Sequence, residues 1–274
     1  MTSAAGKKPP RTHRTARARM LELLPLAVVM VASTVGTLLA AEPAGRLDPA
    51  RAWCGPSGAR PLGCGEGGVD LMPLVASAEL RAIALAAIVA LVGFLVGTPL
   101  GAAAALARGR FERAVDRACD LVQAFPSFIL ALAVLSAVRS PSRLHLGAVF
   151  ALTAWAPFAR LALAQTRVLR DAPFVEAAVA LGRGRAGVLV RHVVPNLLGV
   201  VAVQLGSTAA AIVVSEAALA FVGLGPHDGV SLGGVLDQGV SAMLRAPHVL
   251  VVGAAAVFLT SAAMLVAGRT VGER

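Results

Sequence analysis

Residues 82–107 read AIALAAIVALVGFLVGTPLGAAAALA, without one charged side chain. About 20 apolar residues match the hydrocarbon thickness of a bilayer, so this run is long enough to span with tilt. In lipid every backbone N–H and C=O must find its partner within the protein, and the run lacks the alternation of a barrel strand. It therefore reads as a transmembrane helix. Upstream, 42–78 is punctuated from Pro43 and Gly45 to Gly68 and Pro73, which predicts a loop. Downstream lies a charged stretch that holds Arg108, Arg110, Glu112, Arg113, Asp116, Arg117 and Asp120.

Working outward, the same pattern recurs. Apolar runs at about 22–41, 80–107, 120–138, 146–165, 197–222 and 248–268 predict six transmembrane helices. The fold class is an all-α integral membrane protein, with a basic tail at 1–20 and one membrane domain at 21–274. The first run, which follows Lys7, Lys8 and Arg11 and ends on Ala40-Ala41, also fits a signal peptide. Its length and the later spans favour an uncleaved helix. Composition agrees: 57% of residues are hydrophobic and 15% charged, where soluble domains average about 25% charged.

The net charge of +10 flanks the apolar runs and is not interleaved with aromatics; Tyr is absent. That distribution argues against nucleic acid as a partner and for orientation in lipid. Six spans put both termini on one side. Arg108, Arg110, Arg113, Arg117, Arg167, Arg170, Arg183, Arg185 and Arg191 share that side with the tail, so the positive-inside rule makes it cytoplasmic. Loop 42–78 is then external. Its Cys54 and Cys64 fit either a disulfide or two free thiols; a metal site is the weaker reading, since the loop has no His and no further Cys to complete a tetrahedral set. Arg160, near the inner end of its run, is expected to snorkel to the interface. Pro99, Pro126 and Pro157 are expected to kink their helices.

The most polar internal stretch, 166–196, reads TRVLRDAPFVEAAVALGRGRAGVLVRHVVPN. Asp171 suits an N-cap and Pro173 a first turn. Val175, Ala178, Val179 and Leu181 make an apolar stripe, and Gly182 fits the left-handed C′ position. A second short helix over Val188–Val193 is expected to end near Pro195. Small residues at Ala177 and Ala178 would let another backbone approach. A docking element and an amphipathic helix lying on lipid both fit these residues.

Glu176-Ala177-Ala178, Gly182, Arg191-His192-Val193 and Pro195-Asn196 together resemble the EAA loop of bacterial ATP-binding-cassette importer permeases. SEAALAFVGLG at Ser215–Gly225, with Ser231–Leu236 after it, is similar to the dipeptide/oligopeptide/nickel branch. The resemblance runs from about Val75 to Phe258. The chain departs from it at Gly63–Asp70, at Leu232 where relatives usually have Trp, and in its C-terminal AGRTVGER. The resemblance implies a type I transmembrane domain in the bacterial inner membrane, with a coupling helix between the fourth and fifth spans seated on a separate ATPase. Glu176, Ala177, Ala178 and Gly182 would belong to that contact; Arg191, His192, Pro195 and Asn196 would belong to the return into the fifth span. No catalytic residue is implied. ATP and Mg would be used by the partner, which accords with the lack of any Gly-Lys-Ser/Thr phosphate loop here. A second homologous permease and an extracytoplasmic binding protein delivering a peptide or related solute complete the implied assembly.

Three further residues are candidates for the solute path. Glu216 sits well inside an apolar run, where lining the path, pairing with Arg245 and reaching interfacial water all fit. Gln123 and Gln204 fit the path or hydrogen bonds between helices. Two other function classes compete. An ion-coupled secondary transporter predicts embedded charge pairs or related half-repeats, and no clear repeat is seen. A membrane enzyme predicts clustered acids and histidines, whereas the histidines at 13, 145, 192, 227 and 248 are scattered and His227-Asp228 reads as a turn.

Overall fold

The computed structural model describes residues 16–38, 46–226 and 229–272. The expectations placed on most of the basic tail, on 39–45 and on the His227-Asp228 turn lie outside these residues, as do those on the side chains of Val179 and Arg185. The described chain is helical apart from turns and one isolated bridge between Cys64 and Asp70.

Helix α1 covers Ala16–Leu38 and α2 covers Leu71–Ala107. The Asp70 carboxylate accepts from the Met72 N–H at 2.9 Å and caps α2. The expected loop therefore ends earlier than 78. Pro73 falls in the first turn of α2, where its missing N–H has no intrahelical partner to lose. With 37 residues α2 is about 55 Å long, well beyond the hydrocarbon core of about 30 Å.

The third expected span, 120–138, is corrected. The charged stretch is itself helical, as α3 (Gly109–Ala124), and α4 (Ser127–Ser136) follows after a 63° bend. Pro126, with no N–H to continue the helix, stands at that break. Glu112, Asp116 and Asp120 fall on one face at four-residue spacing, while Val115 and Cys119 face inward. Pro99 and Pro157, by contrast, lie inside continuous helices.

Helix α5 covers Arg143–Leu169 and opens on a reciprocal cap between Ser142 and His145. Short α6 (Pro173–Ala180) and α7 (Arg185–Val188) follow. A wide-turn segment, Leu189–Val193, then runs straight into α8 (Val194–Leu219). The expected helix end near Pro195 is thus overturned: Pro195 occupies the first turn of α8. Between the fifth and sixth expected spans lies α9 (Leu232–Ser241), capped by Ser231, and α10 covers Pro247–Gly272. Among the described residues, α2, α5, Leu189–Leu224 and α10 are long and apolar enough to cross a membrane, and the bent α3–α4 pair is a fifth if counted as one.

Helix backbones meet through glycine. Gly93, Gly97 and Gly101 lie at four-residue intervals on the face of α2 that meets Ala154, Trp155, Phe158 and Ala159 of α5. A Cβ at Gly206 of α8 would lie 2.6 Å from the Gly268 Cα of α10. Without a hydrophobic effect between helices in lipid, such close approach supplies the dispersion that holds them.

At the end of the bundle carrying the N-terminus of α2, residues 46–70 are fastened to α9 and α10. Cys54 and Cys64 are bonded, with Cα atoms 4.8 Å apart. The Arg245 guanidinium lies 5.4 Å over the Trp53 ring, and Glu66 N–H donates to Gln238 at 3.4 Å. Cys119 is buried and free. A maleimide is therefore expected to label Cys54 and Cys64 of the native protein only after reduction; labelling of Cys54 without reductant contradicts the disulfide.

Candidate functional site

At the opposite end, the segment between α5 and α8 is built around α6. Val175 and Ala178 are buried in one cluster with Val188, Val193 and Leu197, and with Ala102 of α2 and Phe158 of α5. Glu176 and Ala177 point outward and are exposed. Leu181 departs from the expected stripe: it is 88% exposed, because α6 has ended before it. Gly182 takes φ +80°, and Arg183 N–H donates to Ala178 C=O at 3.1 Å, the six-residue closure of a Schellman end. On the return, Phe174 and His192 have ring centroids 6.4 Å apart, Asn196 donates to His192 C=O at 2.6 Å, and Arg191 is exposed.

An ion-pair ladder absent from the sequence reading braces this segment. The Asp171 carboxylate, expected to cap α6, instead accepts from Arg108 at 2.6 Å. Arg170 Nη1 donates to the Ala105 carbonyl at the end of α2 (2.7 Å) and to Glu112 of α3 at 3.2 Å. Arg167 donates to Glu112 at 2.6 Å and to Asp116 at 3.0 Å. Arg160 pairs with Asp120. Its charge is met by an acid on α3, a partner the sequence did not indicate. The acids of α3 repeat every four residues and could have been seen; that α5 supplies their partners could not.

A cleft of about 470 Å³ opens beside the α3–α4 bend. Gln123 and Ser127 line it from the bend, Thr153 from α5, and Gln204, Ser207 and Thr208 from α8; among the described residues no charged side chain does. Gln204 donates to Thr208 at 3.1 Å. Two of the three path candidates, Gln123 and Gln204, thus meet in one cleft. Glu216 does not line it; it is 3% exposed, and neighbouring Ala217 packs its carbonyl against Gly233 of α9.

Sequence reading passed over Glu79, which lies at the border between the expected loop and span. It accepts from Ser33 of α1 at 2.5 Å and from Thr260 of α10 at 3.2 Å, joining three helices.

The pattern of the family described as "Binding-protein-dependent transport system inner membrane component" matches residues 97–270, from the Gly97 contact through the α3–α5 ladder, α6 and the cleft to α10. The chain belongs to this family. The glutathione transport system permease protein GsiD of Pectobacterium atrosepticum is 31% identical over 207 residues, covering 75% of this chain and 68% of the relative. GsiD of Shigella dysenteriae serotype 1 is 31% identical over 209 residues, with the same coverage. GsiD of Shigella sonnei is 30% identical over 209 residues, again with 75% and 68% covered. The protein is accordingly a permease of the ATP-binding-cassette type, within the dipeptide/oligopeptide/nickel group, and its fold is the type I transmembrane domain. The secondary-transporter alternative falls with that assignment.

Proposed function

We propose that this permease passes a small peptide, of the glutathione class or near it, from an extracytoplasmic binding protein into the cell, driven by a separate ATPase that docks on α6. The observation that carries the reading is the exposed pair Glu176 and Ala177 on a short helix whose inner face is locked into the bundle. Such a helix transmits force because it cannot move without its base. In this reading α1 completes six spans, both termini are cytoplasmic, and a second, similar permease supplies the other half of the pathway. ATP and Mg act in the partner, and this chain contributes no catalytic group.

The solute class is supported by the cleft. Amides and hydroxyls at Gln123, Ser127, Thr153, Gln204 and Ser207 match the donors and acceptors of a peptide backbone without imposing a charge on its side chains. The named relatives are glutathione permeases, which suits the same chemistry.

The test is a mild-detergent pull-down of the tagged protein from its native membrane, with mass spectrometry. A cytoplasmic ATPase and a second permease are expected to co-purify. Recovery of this chain alone, active in reconstituted uptake without ATP, overturns the reading.

A further inference from the structure

We infer that the ladder around Arg170 is the strut through which movement of α6 reaches the solute cleft, with Arg170, Glu112 and Arg167 acting as positioning residues. This rests on the docking role proposed for α6.

The geometry is specific. Arg170 stands between the end of α5 and the start of α6, and its guanidinium touches three pieces of chain at once. It donates to Ala105 at the end of α2, to Glu112 near the start of α3, and lies 3.8 Å from Asp171, which itself holds Arg108 between α2 and α3. Glu112 and Arg170 are both largely buried, so this junction is shielded from the screening that weakens exposed pairs. Arg167–Asp116 and Arg160–Asp120 then fasten α3 to α5 along its length.

The far end of α3 is the cleft. Val122 and Gln123 on α3, then Phe125 and Pro126 at the bend, all line it. From Glu112 to that bend is about 20 Å of helix, so a tilt of about 5° at the junction displaces the bend by about 2 Å. The apolar face of α3, Val115 and Cys119, packs on Ala104, Ala105, Ala159 and Leu163. The 63° bend means that a tilt of α3 need not carry α4 with it. An ATPase pulling on α6 thus acts on α3 through side-chain charge pairs, besides acting on α8 through the chain itself.

The experiment uses the complete transporter in proteoliposomes, reading solute taken up and ATP hydrolysed. Glu112→Arg and Arg170→Glu are each expected to lower uptake per ATP about tenfold, the usual size of a coupling term. A residue that only stabilises the fold would lower the amount of transporter and leave the ratio alone. Should the single exchanges fail to insert, Glu112→Gln gives the same reading more mildly. An unchanged ratio in Glu112→Gln overturns the strut. Crosslinking from Ala177→Cys to the ATPase is read alongside: its presence with an unchanged ratio leaves docking intact and removes the strut, whereas its absence in an otherwise unaltered complex removes the docking reading itself.

Discussion

Gly97→Leu is expected to abolish accumulation of folded permease. A Cβ at Gly97 would overlap the Trp155 carbonyl oxygen and lie 2.8 Å from Phe158 Cβ and 3.0 Å from the Ala159 amide nitrogen. Two of those three atoms are backbone of α5 and cannot step aside by changing rotamer. The only relief is to move α2 and α5 apart, which also opens the close approaches at Gly93 and Gly101. Overpacking a well-filled interior typically costs 1–3 kcal/mol; with the two helix backbones pushed apart as well, about 3 kcal/mol or more is expected, enough to unfold a marginally stable domain. Gly58→Ala is the contrast, since nothing lies within 4 Å of a Cβ there. Detergent-solubilised yield and a monodisperse gel-filtration peak decide it. A normal peak for Gly97→Leu refutes the packing argument.

Gly182→Val is expected to leave insertion intact and to cut uptake at least about tenfold while ATP hydrolysis persists. No atom lies within 4 Å of a Cβ at this position, so the substitution causes no clash. Its effect is on backbone conformation. Gly182 sits at φ +80°, where a side chain costs about 1–2 kcal/mol and a β-branched one at the upper end. Relief opens the Arg183-to-Ala178 hydrogen bond that ends α6, and the exposed Glu176 and Ala177 then lose their fixed direction. Gly182→Asn, which tolerates the left-handed region, is expected to keep most of the uptake. Membrane abundance together with uptake and hydrolysis in proteoliposomes separates the outcomes; full uptake in Gly182→Val would mean that the end of α6 is not part of coupling.

The helical membrane class was legible in residues 82–107 and their counterparts, because burial in lipid demands long uncharged runs and backbone pairing within the chain. The left-handed seat of Gly182 was legible too, since capping is a local affair of a few residues. So was the membership carried by Glu176-Ala177-Ala178 through Asn196. The sequence was weaker wherever charge met helix. Residues 108–120 read as a charged connection between spans, because polarity there is high; yet an amphipathic helix tolerates polarity when its acids find partners, and those partners, Arg160, Arg167 and Arg170, lie elsewhere in the chain. That Glu216 is buried away from the cleft, which amides and hydroxyls line, could not be read from its place in an apolar run. Glu79 was missed for the same reason as the ladder: a hydrogen bond from Ser33 or Thr260 depends on which helices are neighbours. Local rules of capping and hydrophobic run length act within one stretch of chain and were decided there. Which carboxylate meets which guanidinium, how closely Gly97 approaches α5, and that Gln123 and Gln204 face one cleft depend on how separate helices pack, and only the tertiary structure decided them.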